Sequence, residues 1–247
     1  MKKLINILQN LIYTTYLAEL LPFLTSLFFL KKFKHREVKV FFFYVFTIAF
    51  FICIAVYFDF IQKNYANRLL GNRIFLITEF ALLSTYYYYQ LQYKYRKPIF
   101  QLSTVAFFIY SVVEYLTAKS AQDFNFIILV VECLFFLLVI IYFFYEKIKF
   151  NLRTPIIQTP DFWVSVAFLL YFSGTFFLFL YSKSNFKNPS FKTEYTIIYG
   201  TITIIKDLLL TVSIFVNVYI TNQKNHLDDP IDIDLGTFNP LQNKPNL

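Results

Sequence analysis

The sequence predicts an all-α, polytopic membrane protein: a seven-transmembrane-helix bundle followed by a short polar C-terminal tail. Three observations carry that expectation. Of the 247 residues, 57% are apolar and only 15% are charged, whereas a soluble domain carries about 25% charged residues. Phe occurs 34 times and Tyr 20 times, while four glycines and eight prolines leave few turns. The apolar residues gather into seven runs close to the ~20 residues a helix needs to cross ~30 Å of hydrocarbon. Such a composition excludes a disordered, collagenous or disulfide-stapled secreted chain.

The bundle is expected to occupy residues 1–222, with spans at about 4–30, 38–61, 73–91, 99–118, 124–145, 161–181 and 195–220. The first span follows Lys2 and Lys3 and ends in the basic run Lys31 to Arg36. It is interrupted by Gln9, Asn10 and Glu19 and offers no small-residue cleavage site, so it reads as a retained helix rather than a cleaved signal. The second contains Phe41, Phe42, Phe43 and Tyr44; the third closes with Tyr86, Tyr87, Tyr88 and Tyr89, suited to the aromatic belt at the interface. Pro98 sits well in the first turn of the fourth, and the fifth is the most hydrophobic. The sixth starts after Thr159 and Pro160, with Asp161 near the positive helix end. Residues 223–247, rich in Asn, Asp and Pro, read as a disordered polar tail. Within it Ile231 to Leu235 alternates with period two, as a strand docking on a partner's sheet edge would.

Orientation follows from the basic residues between the spans. With the N-terminus outside, thirteen Lys and Arg fall on the cytoplasmic side and nine on the other. That reading places the C-terminus in the cytoplasm. The net charge of +8 is accounted for by topology, and no basic stripe marks a nucleic-acid surface.

The scarce residue types exclude several chemistries. Both histidines, His35 and His226, lie outside the apolar runs, so an intramembrane metal site, haem or Ser/His/Asp triad lacks its imidazole. Cys53 and Cys133 form no C-x-x-C pair and read as small core residues. Gly71, Gly174, Gly200 and Gly236 are too dispersed for a phosphate-cradling loop. No catalytic residues, metal or cofactor are expected.

The candidate site residues are the ionisable groups inside the spans, because each costs about 2.5–3.5 kcal/mol at a helix centre unless it turns inward to a partner. They are Glu19, Glu79, Glu114, Glu132, Lys206 and Asp207. Lys206 demands a carboxylate. Asp207 points roughly 100° away around the helix, so Glu79 or Glu132 is the expected counter-ion. The depths of these groups place a polar pocket in the outer half of the bundle, lined by Glu79, Glu132 and Lys206.

Seven spans with a lysine in the last and a carboxylate in the third are similar to the microbial rhodopsins, which implies a retinal Schiff base. Such proteins carry Asp four residues before the lysine, where this chain has Ile202, and a Trp/Tyr/Pro-rich sixth helix, where this one has a single Trp, Trp163, and no proline after Asp161. A broader likeness lies in Thr159 to Leu180, Ile198 to Leu210 and Leu17 to Leu24. These segments resemble the uncharacterised seven-span inner-membrane protein family common in Bacteroidota. The resemblance implies a bacterial inner-membrane protein working beside two-component sensors and supplies no activity.

The expected function is an integral membrane sensor or signalling subunit, embedded in the lipid bilayer and acting through a partner such as a kinase. The alternatives are a small transporter or proton-coupled carrier, a lipid-modifying enzyme using Glu79, Glu114 and Glu132 as acid and base, and the retinal-binding reading.

Overall fold

The computed structural model describes residues 2–30, 36–58, 65–91, 97–117, 126–150, 155–185 and 188–228. Among them are seven long helices: α1 (Lys2–Phe28), α2 (Arg36–Val56), α3 (Tyr65–Gln90), α4 (Lys97–Thr117), α5 (Phe126–Phe150), α6 (Pro160–Asn185) and α7 (Pro189–Asp228). A short 3₁₀ turn, Ile156–Gln158, leads into α6, where Thr159 donates its hydroxyl to the Ile156 carbonyl at 2.7 Å.

Among the described residues, five helices are long and apolar enough to cross a membrane, over Asn10–Phe28, Val38–Val56, Phe126–Phe150, Pro160–Ser182 and Pro189–Thr221. Helix α3 is the most polar of the seven and carries Asn67, Arg68, Asn72, Arg73 and Glu79; α4 carries Lys97, Gln101, Ser103 and Glu114. Several helices outrun the expected spans. The third begins at Tyr65 rather than near 73, and the fifth continues to Phe150 rather than stopping near 145. The seventh runs from Pro189 to Asp228, so residues 223–228, expected to belong to the tail, continue the helix. A hydrophobic run marks what lipid covers, while backbone hydrogen bonding carries a helix on into water. The rest of the tail, with Ile231 to Leu235, lies outside the described residues.

Side-chain contacts fix the packing. Gly71 faces Ile54, Phe51 packs on Phe75, and Phe41 packs on Tyr86, so α2 and α3 run antiparallel. Helices α5 and α6 do the same, through Phe136 on Phe172 and Phe144 on Phe162. Helix α7 runs antiparallel to α6 and parallel to α1, lying between them. Helix α4 packs chiefly against α3, with Phe107 stacked on Phe80 at 3.9 Å between centroids. Tyr44 of α2 meets Phe168 of α6 across the middle.

Two close approaches seat α7. A Cβ on Gly174 would lie 2.6 Å from Ile202 Cδ1, and one on Gly200 would lie 3.0 Å from Thr15 Oγ1. These glycines let α6 and α1 come near enough to enclose the face of α7 that carries Thr203, Lys206, Asp207 and Leu210, all buried.

The distribution of polarity identifies the solvent. Leu17, Phe28, Leu102, Leu116, Ile148 and Phe177 are each at least 69% exposed, while Glu79, Glu132, Lys206 and Asp207 are at most 6% exposed. Water would favour the reverse arrangement; hydrocarbon favours this one. The chain is an all-α membrane protein.

Candidate functional site

The site is built around Lys206, near the midpoint of α7. Its ammonium lies 3.4 Å from the carboxylate of Asp207, correcting the expectation that its counter-ion would be Glu79 or Glu132. The reason lies in the breadth of the buried arc on α7. With α1 and α6 both against this helix, neighbours about 100° apart still face inward, and the four-carbon lysine stem bends sideways to reach. The same ammonium sits 4.8 Å from the centroid of the Tyr171 ring, a cation–π contact that a lipid-excluded aromatic strengthens.

Around this pair three further carboxylates gather. Glu79 of α3 accepts a 2.9 Å hydrogen bond from the Tyr44 hydroxyl and lies within electrostatic reach of Lys206 and Asp207. Glu19 of α1, half-buried, is also within reach of Lys206, Asp207 and Glu79. Glu132 of α5, 3% exposed, has Glu79 as its charged neighbour, and its Oε1 has no hydrogen-bond partner. The two oxygens of Asp207 also lack a hydrogen-bond donor in good geometry, as does Thr203 Oγ1 one turn away on α7. Tyrosines enclose the group: Tyr171 and Tyr199 share a hydroxyl contact at 3.3 Å, and Tyr195 stacks on Tyr199. Beside Glu132, the Cys133 thiol lies 3.5 Å from the Thr175 hydroxyl.

The structure thus brings together five of the six sequence candidates: Glu19, Glu79, Glu132, Lys206 and Asp207. The sixth, Glu114, is half-buried on α4, the helix set against the outside of α3. Sequence reasoning missed Tyr44, Tyr171 and Tyr199, because a tyrosine among so many aromatics gives no sign of which hydroxyl faces a carboxylate.

A second polar group occupies the far end of the bundle, where α3 and α5 finish and α6 begins. Lys147 bridges to Asp161 at 3.6 Å and reaches Gln90 Oε1 at 3.4 Å, and Tyr86 donates to Asp161 at 3.1 Å. Buried Glu146 accepts from Tyr142 one turn back. A shallow pocket opens here between α2, α3, α6 and α7, lined by Phe41, Tyr86, Asp161, Ser213 and Asn217 among others. It is not the pocket expected at Glu79, Glu132 and Lys206. Glu146 escaped the sequence reading because the helix continues past the apolar run.

Fold and site together define a helical integral membrane protein with its charges turned inward. No family model, curated protein or solved structure matches the chain.

Proposed function

We propose that the protein is a membrane sensor or signalling subunit in which the charged cluster around Lys206 sets the position of α7. One observation carries this reading: the cluster and the far end of the bundle belong to one uninterrupted helix. Helix α7 has 40 residues, about 60 Å at 1.5 Å per residue, roughly twice the hydrocarbon thickness. It runs about 32 Å beyond Asp207 to Asp228. A change of charge at Lys206 or Asp207 alters contacts with α1, α3 and α6 at once, and a rigid helix delivers the displacement at its end. Interfaces of this kind move between discrete packings rather than deform continuously.

A partner such as a kinase would read that end from the cytoplasm. The excess of Lys and Arg on that side supports a C-terminus facing the cytoplasm of a bacterial inner membrane. Spin labels on the exposed residues Tyr219 and Tyr145 report the position of α7 against α5. On this reading Asp207→Asn changes the label-to-label distance distribution; an unchanged distribution refutes the relay.

A carrier is the second reading, favoured by Glu132, whose buried Oε1 lacks a hydrogen-bond partner beside Glu79. Helices α1, α3, α5, α6 and α7 run unbroken past the cluster, without the discontinuities that build many transporter sites. Proton flux in proteoliposomes, abolished by Glu132→Gln, would establish the carrier in place of the relay.

A further inference from the structure

Charge balance at the centre of the bundle is uneven. Three carboxylates, Glu19 of α1, Glu79 of α3 and Asp207 of α7, share the charge of Lys206, and a fourth, Glu132 of α5, adjoins Glu79 without reaching the lysine. The other groups facing them are neutral hydroxyls and a thiol: Tyr44 of α2, Tyr171 of α6, Tyr195 and Tyr199 of α7, and Cys133 of α5. Burying an ion without an opposite charge costs far more than the fold can supply, so excess buried charge must be neutralised. A second, independent feature points to the same place. Glu132 Oε1 and Thr203 Oγ1 are buried without a hydrogen-bond partner, and Asp207 has only the Lys206 ammonium, 3.4 Å from one oxygen, all on residues at most 3% exposed. Buried polar atoms are otherwise almost always satisfied.

We infer that the cluster takes up a small monovalent cation, a proton or an alkali ion, at the unsatisfied oxygens of Glu132 and Asp207. Among the described residues no three acidic, His or Cys side chains converge closely enough to hold a metal ion between them. A proton arriving from water forms one O–H bond on a carboxyl oxygen and leaves as a hydrated proton on release. An alkali ion would sit between Asp207 and the Thr203 hydroxyl, one turn apart on α7. The inference goes a step beyond the relay by naming what the cluster binds.

Two measurements on the full chain in lipid nanodiscs test it. Infrared difference spectra between acid and alkaline buffers report protonated carboxyls through their C=O stretch. Thermal unfolding in NaCl, KCl or choline chloride at fixed ionic strength reports alkali binding. If the proton is the ligand, the C=O band is present, shifts on isotopic labelling of glutamate carboxyls, and is lost in Glu132→Gln. If an alkali ion is the ligand, Tm rises in sodium or potassium over choline, and Asp207→Asn abolishes the rise. Absence of both the labelled band and a cation-specific rise overturns the inference. Neither readout depends on movement of α7, so the relay and the ion site can fail separately.

Discussion

Among the described residues two groups of charges lie within this bundle, and they are built differently. At the far end, Lys147 of α5 holds Asp161 of α6, Tyr86 of α3 donates to the same carboxylate, and Glu146 is met by Tyr142. Each acid there has a donor, and Asp161 also lies in the first turn of α6, where the helix dipole favours it. At the centre, acids outnumber the lysine, Glu132 Oε1 has no donor, and Asp207 has only the Lys206 ammonium at 3.4 Å. The first arrangement is a clamp between helix ends in which every acid is met, although the Gln90 amide nitrogen beside it has no acceptor. The second leaves acids in excess over the single lysine, and the proposed function rests on that difference.

The comparison can be broken by measuring what each group contributes. Lys206→Ala leaves Asp207 buried beside two other acids, so it should cost about 3–5 kcal/mol, as breaking a buried pair does in soluble proteins. Equilibrium unfolding in mixed micelles checks this. Tyr44→Phe removes the hydroxyl that donates to Glu79 and should cost about 1.5–3 kcal/mol by the same assay, the usual range for a hydrogen bond to a charged group. Gly200→Leu sharpens the account of how α7 is held. Its side chain meets Thr15 and Leu11, and overpacking of that kind costs about 1–3 kcal/mol. Cysteine cross-linking between α1 and α7 should fall in parallel. Lys147→Met should cost least, about 0–1 kcal/mol, because the pair with Asp161 is partly exposed, at 13% and 20%. Added salt should shrink that last difference. A Lys147→Met cost equal to that of Lys206→Ala would remove the distinction between clamp and centre.

Much of this was legible in the sequence, for physical reasons. Lipid selects long apolar runs, so the helices of the bundle announce themselves, α5 most plainly. An ionisable residue inside such a run must face inward, which is why Glu79, Glu132, Lys206 and Asp207 could be singled out before any coordinates. Helix ends were harder, since Tyr65 to Asn72 and Asn222 to Asp228 are helical without being apolar. The same error at the end of α5, which runs on to Phe150, hid Glu146. The pairing of Lys206 was misread because spacing on one helix gives angles, not the breadth of the buried arc, and that breadth depends on Gly174 and Gly200 admitting α6 and α1. Glu114 looked equivalent to the other acids. Nothing in a one-dimensional pattern shows that α4 lies outside the ring.

The central claim is that charges on separate helices form one electrostatic unit around Lys206, and a double-mutant cycle between Lys206 of α7 and Glu79 of α3 tests it most directly. Lys206→Met, Glu79→Gln and the pair are compared by unfolding free energy. The account predicts a coupling of about 0.5–3 kcal/mol, as for residues in one network. Additivity of the two changes within about 0.3–0.5 kcal/mol would contradict it.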